Sequence, residues 1–134
     1  MIDHVSVGVI DLHKAAEFYR AVFAPLGVSQ VIEKPGSIGF GKKYPEFWIN
    51  ERSSLAVPGS DNGTHVCLRA ASKEVVIEFY NIAMANGASS SGEPGYREEY
   101  RAPDYRDATH PGYYAAFIRD PYENHVEVVT FVTQ

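Results

Sequence analysis

The sequence predicts an α+β fold built from two copies of one strand-helix-strand unit. A His-Val pair opens a short alternating segment at His4 and again at His65, and the same separation aligns a Glu-Phe-Tyr run in both halves. Each alternating segment is typical of a half-buried strand, and each is followed by apolar residues at helical spacing. At 134 residues we expect one domain, 1–134, with module one at about 1–57 and module two at about 64–134.

Each predicted unit begins with a strand and continues into a helix. In the first unit, HVSVGV places Val5 and Val7 on one face of a strand. Asp11 is the expected N-cap of the helix that follows, LHKAAEFYRAVF. In the second unit the strand is HVCLRA, and Ser72 is the expected cap of the helix KEVVIEFYNIAMA.

Short strands are expected after each helix. In the first unit they are VSQVIEK, SIGFG and FWINE, and in the second they are YYAAFI and HVEVVTFV. Between Gly87 and Gly112 lies a stretch rich in Ser, Pro, Gly, Tyr and charge, which predicts a long loop. Loops of that length are usually functional lids or disordered segments.

Composition excludes several classes of partner. The formal net charge is −5, so the basic surface of a nucleic-acid-binding protein is missing. No apolar run is long enough to cross a bilayer, and the N-terminus does not have the pattern of a secretory signal. The single cysteine cannot form an internal disulfide. We therefore expect a cytoplasmic protein with neither nucleic-acid nor membrane partners.

Three side chains in equivalent parts of the two units predict a metal site. His4 and His65 open equivalent strands, and Glu127 lies in the last strand. All three are opposite the Val-rich face of their strand, so they share the uncovered side if the helices cover the Val faces. Two imidazoles and one carboxylate suit Fe(II), Mn(II), Ni(II) or Zn(II), and the residues do not choose among these ions. Taken singly, each histidine is more often an exposed or hydrogen-bonded residue than a ligand, and Glu127 alone is usually a solvated charge, so the metal site depends on the repeat symmetry.

Three segments carry a resemblance to a known family. HVSVGVIDLHKAAEFYRAVFAPLG, HVCLRA and GYYAAFIRDPYENHVEVV resemble the glyoxalase, bleomycin-resistance and extradiol-dioxygenase superfamily, also called vicinal oxygen chelate proteins. The resemblance covers nearly the whole chain and is weakest from Ser89 to Thr109. The last segment resembles the family's Asp-Pro-Asp-Gly-Asn hairpin, with Tyr122 and Glu123 in place of its Asp-Gly. It implies two βαβββ modules whose mixed sheets curl into a cup, with helices on the outer face, metal at the base and a homodimeric assembly.

The resemblance also implies the ligand set. His4, His65 and Glu127 match the family's ligand positions, and a fourth ligand is expected at the end of module one. Matching FWINE with HVEVV puts Trp48 there, and Trp cannot bind a metal. The four-ligand site of lactoylglutathione lyases is thus incomplete, and the set is more similar to that of fosfomycin-resistance thiol transferases or extradiol dioxygenases.

The function implied is a metal-dependent enzyme acting on a small oxygenated or thiol-conjugated metabolite. The ion would chelate two neighbouring substrate oxygens and stabilise an oxyanion. Lyase, isomerase, thiol transferase and dioxygenase reactions all stay open, and the sequence assigns no catalytic base. Arg69 has an equally good explanation as a surface cation, and His110 as a loop residue. The expected substrate-binding residues are Trp48, Arg69, His110, Tyr113 and Tyr114.

Two other functions fit the sequence. A metal-free sequestering protein of the bleomycin-resistance type would stack a flat drug or metabolite on aromatic residues such as Trp48 and Tyr113, and the acidic net charge would favour a cationic ligand. The third reading is a partner-binding domain with no small-molecule site. Metal content, and ligand-induced thermal shifts that persist in a chelator, separate these functions.

Overall fold

The computed structural model describes residues 1–56, 61–100 and 112–132. Short 3₁₀ helices lie at Ala24–Leu26 and Glu98–Tyr100. The strands and helices of the described residues are, in chain order, β1 Val5–Val9, α1 Leu12–Phe23, β2 Ser29–Lys34, β3 Ser37–Gly41, β4 Phe47–Glu51, β5 Val66–Arg69, α2 Lys73–Ala85, β6 Ser89–Tyr96, β7 Tyr113–Arg119 and β8 His125–Phe131.

Both helices begin at the predicted caps. The Asp11 carboxylate accepts a hydrogen bond from the backbone N of Lys14 at 3.1 Å, and the Ser72 hydroxyl accepts one from the backbone N of Val75 at 3.3 Å. Each cap satisfies an N–H group that has no partner within its helix, which fixes where the helix starts. Within the described residues, neither helix is both long enough and apolar enough to cross a membrane.

The two sheets repeat one topology. The first sheet has the strand order β1-β4-β3-β2, and the second has β5-β8-β7-β6. In each sheet the opening strand is parallel to the last strand of its module, and the other neighbours are antiparallel. Among the strands of the described residues, neither sheet closes on itself. The predicted α+β architecture of two βαβββ modules is confirmed.

The predicted loop between Gly87 and Gly112 contains a strand. β6 pairs antiparallel with β7, and its register shifts on either side of Gly92. Its sequence, SSSGEPGY, has no apolar alternation and few residues that favour strands, so backbone pairing with β7 rather than side-chain pattern forms it. His110 lies outside the described residues.

The apolar faces of both modules form one core. Helix α1 packs on the first sheet, α2 packs on the second, and the helices also touch each other. Val5 and Leu68 line one space between the modules, and Val7 and Val66 line another. The Val-rich sides of β1 and β5 therefore both turn toward the shared core. Because side chains alternate along a strand, the residues between these positions point away from it.

The hairpin between β7 and β8 ties the modules together. The buried hydroxyl of Tyr19 donates to Asp120 Oδ2 at 2.6 Å, and Asn124 Nδ2 donates to the backbone O of Gly8 at 2.8 Å. Burial raises the pKa of both Tyr19 and Asp120. Glu123, which takes the place of the family's glycine, adopts a left-handed φ of 67°. The hairpin keeps its turn without glycine and sets the start of β8.

Candidate functional site

The centre of the candidate site is a contact between His65 and Glu127. His65 Nε2 lies 3.2 Å from Glu127 Oε2, and the side chains are 48% and 4% exposed. Glu127 lies within β8, and His65 immediately precedes β5. Parallel pairing of these strands sets Cys67 opposite Glu127, which brings His65 within reach of the same carboxylate. The structure thus joins two of the three expected metal ligands.

Tyr113 holds the other oxygen of this carboxylate. Its hydroxyl donates a hydrogen bond to Glu127 Oε1. Burial raises the pKa of Tyr113 well above its ordinary value, and the contact with Glu127 raises it further. The phenol therefore keeps its proton and remains a donor at physiological pH. One carboxylate oxygen is fixed by Tyr113 and the other faces the imidazole.

The imidazole of His65 is oriented for a cation. Its Nδ1 lies 3.5 Å from the backbone O of Gly63. The Gly63 carbonyl and the Glu127 carboxylate can both only accept, so both ring nitrogens face acceptors, and a proton or a metal ion between Nε2 and the carboxylate would satisfy both groups. Imidazole nitrogen and carboxylate oxygen are common ligands of divalent ions, so the pair fits such an ion.

His4 does not join this pair within one chain. It precedes β1, and its Nδ1 lies 2.7 Å from Asp3 Oδ1 at an exposed position. Among the described residues, no three His, Cys, Asp or Glu side chains are grouped to hold an ion. Within the chain, His4, before β1, contacts Asp3, whereas His65, before β5, contacts Glu127.

Trp48 occupies the position in module one that Glu127 has in module two. Trp48 pairs with Ser6 across β4 and β1, just as Glu127 pairs with Cys67 across β8 and β5. The side chain lies under Lys34, whose Nζ is 5.4 Å from the indole centroid. The uncovered face of the first sheet therefore presents an aromatic ring where the second presents a carboxylate.

The remaining expected residues separate by strand face. Arg69 is exposed on the Glu127 side of the second sheet, with its guanidinium carbon 4.4 Å from the ring centroid of Phe131. Tyr114 lies on the opposite side, where it packs against the core and makes an edge contact with Tyr96 at 5.0 Å. The structure therefore does not place Tyr114 beside the pair.

Sequence reasoning missed most of an aromatic cluster beside Glu127, formed by Tyr100, Tyr113, Phe117 and Phe131. The Tyr113 ring centroid lies 5.3 Å from that of Tyr100 and 5.3 Å from that of Phe131, and Tyr100 lies 6.5 Å from Phe117. Phe117 pairs directly with Glu127. Strand alternation could have found two members, because Phe117 shares a face with Tyr113 and Phe131 shares one with Glu127.

A cavity of about 540 Å³ lies beside His65, between the two modules. Its size is within the range of sites that hold small molecules. Its wall is apolar on the module-one side and mostly polar on the module-two side. The residues that line it include Val7, Leu55, Asn62, Arg119, Asn124 and His125.

Solved structures of known proteins share this fold. The chain is 27% identical to a glyoxalase/bleomycin resistance protein from Albidiferax ferrireducens T118, with a TM-score of 0.77 over 95% of each chain. It is 18% identical to a glyoxalase/bleomycin resistance protein/dioxygenase family enzyme from Burkholderia phytofirmans PsJN, with a TM-score of 0.71 over 98% of each. No protein-family model and no curated protein matches the chain.

A third similar structure contains a metal and an organic ligand. It is a variant of FosX, a genomically encoded fosfomycin resistance protein from Listeria monocytogenes, in complex with Mn(II) and 1S,2S-dihydroxypropylphosphonic acid. Its TM-score is 0.66 at 17% identity, over 98% of this chain and 90% of that chain. The three comparisons each span both βαβββ modules. The chain therefore has the fold of the glyoxalase/bleomycin resistance/dioxygenase proteins, and the resemblance to the vicinal oxygen chelate superfamily is confirmed.

Proposed function

We propose that this protein is a divalent-metal-dependent enzyme that acts on a small oxygenated or thiol-conjugated metabolite in the cytoplasm. The observation that carries the proposal is the contact between His65 Nε2 and the buried Glu127 carboxylate at 3.2 Å. The Mn(II) in the FosX complex supports the use of a divalent ion on this fold. When bound, such an ion would act as a Lewis acid toward two neighbouring substrate oxygens.

The surrounding residues prepare the pair for this role. Tyr113 fixes one oxygen of Glu127, and the Gly63 carbonyl contacts the far nitrogen of the His65 ring. Partners of this kind orient ligands and raise metal affinity. Phe117 and the other aromatic rings exclude water from one side of the carboxylate, which strengthens electrostatic interactions with a developing oxyanion.

A second copy of the chain supplies the third ligand in this proposal. β1 and β5 are edge strands of their sheets, and edges of this kind are commonly covered by another element or another chain. In a homodimer with two-fold symmetry, His4 of each copy would meet the His65 and Glu127 of the other. The assembly would then hold two equivalent sites, each with ligands from both chains.

A mixing experiment tests both parts of the proposal. His4→Ala and His65→Ala proteins should each bind no stoichiometric ion when measured by elemental analysis and calorimetric titration. After joint refolding, dimers that contain one copy of each variant regain one intact site, so random pairing restores about one ion per four chains. His13→Ala, a change at an exposed histidine of α1, is the control and should bind as the wild type does.

Three results would contradict the proposal. A wild-type protein without a bindable divalent ion, or one that binds it equally after His65→Ala, contradicts the metal site itself. Failure of the mixed variants to regain an ion contradicts the shared site alone, because His4 would then act elsewhere or not at all.

A metal-free sequestering protein of the bleomycin-resistance type is the second candidate. The aromatic cluster and the cavity of about 540 Å³ are separate features that each favour it, because a stacking surface or a space of that size can hold a small molecule without a metal. A stabilising thermal shift by a ligand that persists in a chelator and in Glu127→Gln would support this function over the first.

A further inference from the structure

The guanidinium of Arg97 lies across the edge strand β6 on the uncovered face of the second sheet. Two glycines make room for it. A Cβ at Gly92 would lie 3.1 Å from Arg97 Nη2, and a Cβ at Gly95 would lie 3.0 Å from Arg97 Nη1. Either contact is tighter than ordinary packing, so a side chain at either position would push the guanidinium away. A Cβ at Gly92 would also lie 3.1 Å from Phe117 Cδ2, so the glycines of β6 form a seat for Arg97 against the Phe117 ring.

Three contacts fix Arg97 in this seat. Its guanidinium carbon is 5.5 Å from the ring centroid of Phe117, and its Nη2 donates to the backbone O of Glu93 at 2.6 Å. Its backbone N donates to the backbone O of Tyr113 at 2.8 Å. Among the described residues, no carboxylate lies within ion-pair distance of this guanidinium. The positive charge of Arg97 is therefore fixed in position, and no carboxylate of the described residues neutralises it.

The seat is close to the His65 and Glu127 pair. Phe117, on which Arg97 stacks, is the direct cross-strand partner of Glu127. β6 is separated from β8 by one strand, so the two lie about 10 Å apart. One small molecule can therefore span from Arg97 to Glu127, with its body on the aromatic cluster.

Local charge on this face opposes the charge of the whole chain. The net charge of −5 favours cationic ligands, which the sequence analysis expected for a sequestering protein. Yet Arg69 stacks on Phe131 at one part of the cluster and Arg97 stacks on Phe117 at another. A guanidinium stacked on a ring holds its N–H donors in one plane, in a geometry that can donate two parallel hydrogen bonds to an oxyanion.

We propose that Arg97 binds the oxyanion group, a carboxylate or a phosphonate, of an organic ligand whose body lies on the aromatic cluster. Arg97 makes a bidentate contact with this group, and the ring of Phe117 supports the ligand beside it. The inference rests on the proposed function only in calling this ligand the substrate. The anion contact itself requires no metal.

The test uses three small probes with one shared ring: benzoate, phenylphosphonate and the neutral benzamide. Binding is followed by the backbone amide NMR shifts of Gly92 and Gly95, in the presence of EDTA. In the wild type, benzoate or phenylphosphonate should bind roughly tenfold or more tightly than benzamide, because only the anions make charged hydrogen bonds. Whichever of benzoate and phenylphosphonate binds more tightly identifies the oxyanion, carboxylate or phosphonate, that Arg97 prefers.

Two substitutions at the seat and one control separate binding from folding. Arg97→Gln should remove the preference for the anion, and Arg97→Lys should keep part of it, since lysine retains the charge without the planar fork. The control is Arg52→Gln, because Arg52 also donates to a backbone carbonyl, that of Glu51 at 2.7 Å, but has no seat of glycines. It should leave all three affinities unchanged.

Equal binding of benzoate and benzamide by the wild type would overturn the inference, and so would a preference for the anion that survives in Arg97→Gln. If Arg97→Gln does not fold, the Arg97→Lys affinities decide: a preference equal to that of the wild type overturns the inference. The binding test is run in EDTA, so its outcome does not depend on a bound metal ion. Loss of metal binding alone therefore leaves this inference standing, and loss of the anion preference alone leaves the metal site standing.

Discussion

The two modules have the same backbone pairing but opposite side chains at its centre. In module one, Trp48 lies opposite Gly39, and in module two, Glu127 lies opposite Phe117. A Cβ at Gly39 would lie 2.6 Å from Pro45 Cβ, 2.9 Å from Ile32 Cγ2 and 3.2 Å from the Trp48 indole, so only glycine fits opposite Trp48. Because the strand pairing is the same in both modules, Trp48 and Glu127 occupy equivalent positions. Of these two side chains, only Glu127 is able to bind a metal.

The histidines of the two modules differ for the same reason. His65 has a buried carboxylate 3.2 Å away, whereas His4 contacts its exposed neighbour Asp3. Module two therefore holds a pair of candidate ligands already in contact, and module one offers a single imidazole at its surface.

Glu127→Gln should have the largest effect. The change removes the charge of the carboxylate but keeps its size and an acceptor for Tyr113, so metal affinity should fall roughly 100-fold or more. Trp48→Phe changes the equivalent slot of module one and should leave the affinity unchanged. Calorimetric titration with Mn(II) and Zn(II) measures both, and an equal loss in the two variants would contradict the assignment to module two.

Tyr113→Phe should weaken metal binding by about 10- to 100-fold, because the carboxylate loses the partner that orients it. Tyr114→Phe is the matched control, since Tyr114 is the next residue of β7 but lies on the core side of the sheet. The same titration distinguishes them. If Tyr113→Phe binds as tightly as the wild type, the hydroxyl has no orienting role.

Tyr19→Phe should lower the free energy of unfolding by about 1–3 kcal/mol, because the buried Asp120 carboxylate loses the donor at 2.6 Å. Tyr80 occupies the equivalent place in α2 and is partly buried. Tyr80→Phe should change stability by less than about 0.5 kcal/mol. Urea unfolding followed by circular dichroism gives both values, and similar losses in the two variants would contradict the role of the hairpin in joining the modules.

Stability should fall gradually as the pH rises above about 10. Burial raises the pKa of Tyr19 and of Tyr113 above the value of an unfolded tyrosine. The folded chain then keeps protons that the unfolded chain releases, so this stabilisation is complete below the unfolded pKa and is lost as pH rises. Melting temperatures from pH 8 to 11 measure the effect. Tyr19→Phe should flatten the profile and Tyr44→Phe, at an exposed residue, should not; the opposite pattern would contradict this origin.

Local signals explain what could be predicted from the sequence. The helices begin and end where Asp11, Ser72 and the apolar spacing predict, because capping and amphipathicity act within a few residues. Strand alternation placed His65 and Glu127 on one uncovered face, and the structure joins them. These features depend on neighbours along the chain or on simple strand periodicity.

The rest depends on contacts that no local pattern encodes. Tyr19 and Asp120, far apart in the chain, are joined by a buried hydrogen bond between the modules. The strand β6 forms by pairing with β7 despite a sequence rich in Ser and Gly, so Arg97 fell within a segment expected to be a loop. The sequence therefore did not predict the pairing of β6 with β7 or the way in which the two modules pack together.

The most direct test of the central claim is an anomalous difference map from crystals of the wild-type protein grown with Mn(II). The account predicts a peak about 2.0–2.3 Å from both His65 Nε2 and a Glu127 carboxylate oxygen, with His4 of a second copy as the third protein ligand. A map with no peak between His65 and Glu127, or with the ion bound elsewhere, would contradict it.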